Sequence, residues 1–205
     1  MNVTLLFSVE RYEEVIEAYL RGLERRVAAR LPVQGIASVA SFFVSRIDAK
    51  ADAVLAADSS LRGRVAIANA HHAYGRYRAR FAGARWEALK RAGAAPQRPL
   101  WASTGTKDPS YSDVPYVERL IAPGVINTMP LPTLRAFADH GIVEPTLGPD
   151  LSTARAVLAA AAAEGVDLDA ITSALEREGV QAFCDSYAEL LRCIEGKRDA
   201  LTAVP

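Results

Sequence analysis

The sequence predicts an α/β chain with a parallel sheet, and three observations carry that expectation. Short apolar runs at residues 2–7, 36–44, 99–102 and 125–127 read as strands, and each is followed by sequence of helical periodicity. The interval from Phe7 through one helix to the second run matches a βαβ unit, whose strands lie parallel and are joined by a right-handed crossover. Polar residues (Thr4, Ser41 with Arg46, Ser103 with Lys107, and Asn127) belong to the strand ends, and parallel strands would gather them on one face. Such a series is half of an eight-stranded βα barrel or part of an open doubly wound sheet, and periodicity alone does not choose between the two.

With 205 residues, half of them hydrophobic, the chain has enough apolar material for a sizeable core, and we read it as a single domain over 1–205. Its 24 Lys and Arg balance 24 Asp and Glu, without a long basic run. Nothing there attracts nucleic acid or an anionic membrane, while a local site for a phosphorylated small molecule stays open. No apolar run approaches the roughly 20 residues of a membrane span, and no basic stretch followed by an apolar segment marks a secretory signal, so a cytoplasmic protein is expected. Cys184 and Cys193 are expected as a reduced pair roughly sharing a helical face, without metal-ligand spacing. Only four residues are lysine (Lys50, Lys90, Lys107 and Lys197), so an amine nucleophile has few candidates.

In chain order, the run 2–7 is a core strand, and Ser8 then suits the N-cap of a helix to about Arg30. Val9, Tyr12, Ile16, Leu20 and Leu23 repeat at helical spacing, with glutamates early and arginines late, as the helix dipole favours. Residues 47–91 predict two or three alanine-rich helices with a break near residues 58–60, where Ser59 or Ser60 could cap the next helix. His71 and His72 read as ordinary helix residues, since neither has a partner four residues away to share a metal. A helical segment is expected within 111–121, a short helix over 130–140 closed by Gly141 at C′, and a loop over 144–150. Helices over 152–164, 168–178 and 180–202 complete the chain, separated by Gly165 and Gly179.

The stretch 98–107 is the most informative. An apolar strand gives way to two hydroxyls, Gly105 and the ammonium of Lys107, which together suit a phosphate or another anion at the carboxyl end of a strand. A plain polar turn is the alternative. Arg46, just past the second strand, could fork onto a phosphate or carboxylate, or serve more ordinarily as a structural ion pair.

These residues also carry a resemblance. Asn2-Val-Thr-Leu-Leu-Phe-Ser8, Ala37-Ser-Val-Ala-Ser-Phe-Phe-Val-Ser-Arg46, Gln97-Arg-Pro-Leu-Trp-Ala-Ser-Thr-Gly-Thr-Lys107, Tyr111-Ser-Asp113 and Val125-Ile-Asn-Thr-Met-Pro130 resemble, in order and spacing, the second half of a transaldolase. The likeness covers essentially the whole chain and is nearest the long bacterial form, found alone or fused to glucose-6-phosphate isomerase. It implies a (βα)8 TIM barrel of the class I aldolase type, here about strands five to eight with their helices. It also implies transfer of a dihydroxyacetone unit between sugar phosphates in the pentose phosphate pathway, through a lysine Schiff base and without a cofactor.

By the same resemblance, Thr4 helps to hold the catalytic water, Ser41 contacts the donor sugar, and Arg46 and Ser103 bind phosphate. Many family members carry a second phosphate arginine two residues after that serine, where this chain has Gly105, and Lys107 is the candidate substitute. The family's Schiff-base lysine belongs to a strand earlier than Asn2 and matches none of the four lysines here. The chain alone is therefore expected to be inactive and to need a separate N-terminal half-chain or self-association. The alternatives are a phosphosugar-binding or interaction fragment that has lost catalysis, or an unrelated aldolase-type barrel fragment.

Overall fold

Four strands form one sheet in the order in which they occur: β1 (Asn2–Leu6), β2 (Val39–Phe43), β3 (Arg98–Ala102) and β4 (Ile126–Asn127). All three pairings are parallel. This sequential order resolves the choice left open by periodicity, because a doubly wound sheet reverses its strand order at a switch point and a barrel does not. The computed structural model describes residues 1–202, the side chains of Ala200 and Thr202 excepted.

Helix α1 (Val9–Ala28) follows β1, and Ser8 caps it as expected, its hydroxyl accepting from Arg11 N–H at 3.1 Å. After β2 come α2 (Ser45–Ala51), α3 (Val65–Arg80) and α4 (Gly83–Arg91), and after β3 only the single turn α5 (Pro115–Glu118). Helix α6 (Leu131–His140) follows β4, then α7 (Ser152–Ala163) and α8 (Leu168–Thr202). On the helix-covered side of the sheet, Phe42 and Trp101 at paired positions stand edge to face at 6.1 Å, and Tyr12 of α1 meets Phe42 at 5.8 Å. Trp101 is fully buried, and its indole N–H donates to the Leu120 carbonyl at 3.0 Å. Among the described residues no helix is long and apolar enough to cross a membrane.

Several local expectations are corrected. Gly179 does not end a helix: α8 runs through it, because Gly179 lies against Leu5 of β1, where an added Cβ would stand 2.9 Å from Leu5 Cδ2. The glycine serves close packing, and its cost inside a helix is only about 1 kcal/mol. On this single helix Cys184 and Cys193 are nine residues apart, about two and a half turns, so they face opposite sides. Both are free and exposed. Gly141 is not left-handed (φ −68°); a Cβ there would collide with the Phe137 ring and carbonyl. Neither Ser59 nor Ser60 caps α3. The Ser59 hydroxyl accepts from Leu61 N–H, and the carboxylate of Asp48, from α2, accepts from Ala66 N–H in the first turn of α3. His71 approaches the Gly148 carbonyl at 3.2 Å.

Candidate functional site

The carboxyl ends of β2 and β3 are stitched side by side. Ser45 N–H donates to the Ser103 carbonyl at 2.9 Å, Val44 N–H to that of Ala102, and the Ser45 and Ser103 hydroxyls lie 3.1 Å apart. Ser103 takes a left-handed conformation (φ 57°), turning the chain off the strand end. Arg46 follows at the start of α2, exposed, with its guanidinium carbon 5.6 Å from the centre of the Phe43 ring. Its guanidinium makes no hydrogen bond or ion pair among the described residues, so the ordinary ion-pair role weighed for Arg46 has no partner there. Arg46 and Ser103 are thereby brought to one end of the sheet, with Ser45 between them, a residue that sequence reasoning passed over.

The loop after β3 is fixed from beneath. Thr104 is fully buried, and its hydroxyl lies 2.9 Å from both the Asn127 side-chain oxygen and the Thr128 carbonyl. The backbone N–H groups of Thr104, Gly105 and Thr106 make no hydrogen bond within the described residues, which leaves donors of the kind an anion requires. Gly105 is packed against Pro130 and Thr133: an added Cβ would stand 3.1 Å from Pro130 Cγ and 3.3 Å from Thr133 Oγ1. A larger side chain at this position would start from a crowded Cβ.

Lys107 is exposed and lines, with Ser45, Asp48, Asp52, Arg62 and Tyr111, a cavity of about 460 Å³. Asp48 of α2 and Asp52, the residue that follows its last one, are one turn apart, and each is gripped in the same way. Asp48 accepts from Ala66 N–H and the Tyr116 hydroxyl, both at 2.8 Å; Asp52 accepts from Gly63 N–H at 3.1 Å and the Tyr111 hydroxyl at 2.8 Å. Burial pushes the Asp48 carboxyl up to about 7, against the opposing pull of the Ala66 and Tyr116 hydrogen bonds. This clamp ties α2, and with it Ser45 and Arg46, to the α3 N-terminus and the β3–α5 segment. Its sequence signal was two aspartates four residues apart in the first helix after β2, an arrangement that like charges disfavour unless each has its own partner.

On the open face of the sheet, opposite the helices, lie Thr4 and Ser41. Val3 packs toward Val15 and Tyr19 of α1, so its neighbour Thr4 points the other way, and Thr4 is exposed rather than among core-lining side chains. A bulge separates Val3 from Leu6, with Leu5 left-handed at φ 60°. Ser41 is buried and donates to the Asn2 side-chain oxygen at 2.8 Å.

The chain matches the Transaldolase/Fructose-6-phosphate aldolase family over residues 1–194. It is 52% identical over 200 residues to a transaldolase of Frankia alni, covering 95% of this chain and 54% of that protein. A protein named transaldolase 1 from Streptomyces avermitilis is 50% identical over 200 residues, covering 95% of this chain and 53% of its own length. A transaldolase of Acidothermus cellulolyticus is 48% identical over 199 residues, with 95% and 54% covered. The chain thus spans about half the length of the relatives it matches. The sequential parallel sheet, the paired ends of β2 and β3 and the match over nearly all of its length make this chain a member of the transaldolase/fructose-6-phosphate aldolase family, whose fold is the TIM barrel.

Proposed function

We propose that this chain is the substrate-holding part of a transaldolase, which moves a dihydroxyacetone unit from a ketose phosphate to an aldose phosphate through a lysine Schiff base. Arg46 forks onto the phosphate of the bound sugar, and the hydroxyls of Ser103 and Ser45 donate beside it. Thr4 holds the catalytic water, and Ser41 contacts the donor sugar on the same open face. Lys107 contributes long-range attraction only, since it is five residues past β3 and shares its cavity with three aspartates, Asp48, Asp52 and Asp108. The observation that carries the reading is the exposed Arg46 guanidinium, held over Phe43 beside the Ser45 and Ser103 hydroxyls without an acidic partner among the described residues. A guanidinium can make two parallel charge-assisted bonds to a phosphate, which an ammonium cannot.

Of the four lysines, Lys50 lies on α2 paired with Glu178, Lys90 on α4 and Lys197 on α8. None is placed by its element on the open face of the sheet where a substrate carbonyl would meet it, so the Schiff-base amine is assigned to none of these four. The test is titration with fructose 6-phosphate followed by phosphorus NMR. Arg46→Ala should weaken binding about tenfold or more, the scale of a lost charge-assisted pair, and Lys107→Ala by about threefold at most. Equal losses at both positions, or none, would return the strand end to an ordinary polar turn.

A further inference from the structure

A cavity of about 430 Å³ lies among α3, α5 and α7, lined by no residue of the sheet. Its cations are Arg64, at the N-cap of α3, His71, two turns further along that helix, and Arg119, at the C-cap of α5. Ile67, Ala154 and Val157 give it an apolar floor, and no Asp or Glu lines it among the described residues. The nearby carboxylates are turned to other work. Glu118 accepts from Ile142 N–H at 2.9 Å, and Asp150 accepts from the Ser152 N–H and hydroxyl at 2.8 and 2.9 Å. Arg119 makes no side-chain hydrogen bond or ion pair among the described residues, and the Arg64 guanidinium bonds only the Ser60 carbonyl, at 3.2 Å. The other end of α3 is built differently, since Arg76 and Arg80 there both close on Glu13. Helix stability does not account for Arg64 either, because the dipole disfavours a cation at a helix N-terminus.

We propose that this cavity is a second anion site, additional to Arg46 and Ser103, that takes a small organic phosphate: the phosphate meets the Arg64 and Arg119 guanidiniums beside His71, and the carbon skeleton rests on the Ile67, Ala154 and Val157 floor. A phosphate monoester brings about two negative charges and three terminal oxygens at neutral pH, enough to engage two forked guanidiniums. A carboxylate has two oxygens, which a single guanidinium already satisfies. The volume is in the range of small-molecule pockets, and an apolar floor with a few polar groups at its rim is their usual composition. His71 Nε2 lies 3.2 Å from the Gly148 carbonyl, which tethers the ring beside the loop over 144–150.

The test is titration of the Arg46→Ala variant, which lacks the fork of the first site, with phenyl phosphate followed by phosphorus NMR. Saturable binding of one ligand per chain is expected, with a Kd of about 1 mM or tighter. Adding Arg64→Ala and Arg119→Ala should weaken it by about tenfold or more, the scale of lost charge-assisted bonds. Adding Arg78→Ala and Arg91→Ala instead, at exposed positions outside the cavity, removes the same charge and should leave the affinity unchanged. All four positions are exposed, so circular dichroism should show every variant folded. In competition, benzoate, which lacks the phosphate, and inorganic phosphate, which lacks the ring, should each bind about threefold more weakly or worse. Absence of saturable binding would overturn the inference, as would equal losses in the two arginine pairs or either competitor matching phenyl phosphate.

Discussion

Replacing Asp48 by asparagine should stabilise this protein above neutral pH. Asp48 is 1% exposed, and its carboxyl is pushed up to about 7 because burial penalises the charge more than Ala66 N–H and the Tyr116 hydroxyl support it. An unfolded aspartate titrates near 3.9, so between about pH 4 and 7 the folded state holds a proton that the unfolded state has released. The slope of stability with pH is then negative: the contribution of Asp48 is intact below about pH 4 and is lost as pH rises through 7. A difference of roughly three units corresponds to about 4 kcal/mol at pH 8. Asparagine keeps the Ala66 bond through its oxygen and can donate to the Tyr116 oxygen, but it deprives the Tyr116 hydroxyl of its acceptor, at a cost of about 1–2 kcal/mol. The net expectation is a gain of about 2 kcal/mol for Asp48→Asn at pH 8, shrinking to nothing or a small loss at pH 5. Urea unfolding followed by tryptophan fluorescence, from pH 5 to 8, measures it through buried Trp101 and Trp86. A variant less stable than the parent across that range, with an unchanged pH slope, would refute the reasoning.

Other expectations follow from single contacts. Trp101→Ala removes a fully buried indole and strands the Leu120 carbonyl, so it should cost about 4–6 kcal/mol in urea unfolding, enough to unfold a marginal protein. Gly105→Ala places a Cβ against Pro130 and Thr133 and should cost about 1 kcal/mol, with weaker fructose 6-phosphate binding if the loop shifts. In this chain, amide exchange across β1, which among the described residues is paired on one side only, should be faster than across β2, which is paired on both.

Much of this fold was legible in the sequence because local and tertiary signals agreed. The β1–α1–β2 unit declared itself through an apolar run, a serine cap and a continuous helical stripe from Val9 to Leu23, all of which pack as that pattern requires. Gly179 misled because a glycine chosen for contact with Leu5 looks the same as one chosen to end a helix. The start of α3 was hidden for another reason: its capping carboxylate, Asp48, lies 18 residues away on another element, and no local rule reaches that far. At the candidate site, Arg46 and Ser103 were readable as polar residues ending parallel strands. Lys107 lies on an irregular loop past β3, whose course is set by Thr104, Gly105 and their packing on Asn127, Pro130 and Thr133. The Asp48 and Asp52 clamp escaped because its tyrosines come from a segment about 60 residues downstream, where sequence gave only a helical expectation.

The central claim, that these 205 residues hold the sugar phosphate while none of their four lysines is the Schiff-base amine, is tested most directly by trapping. The purified chain is incubated briefly with fructose 6-phosphate and borohydride, beside a control without sugar, and mass spectrometry maps any reduced three-carbon adduct. The account predicts no stoichiometric adduct on Lys50, Lys90, Lys107 or Lys197. A stoichiometric adduct on Lys107 of the isolated chain would contradict it.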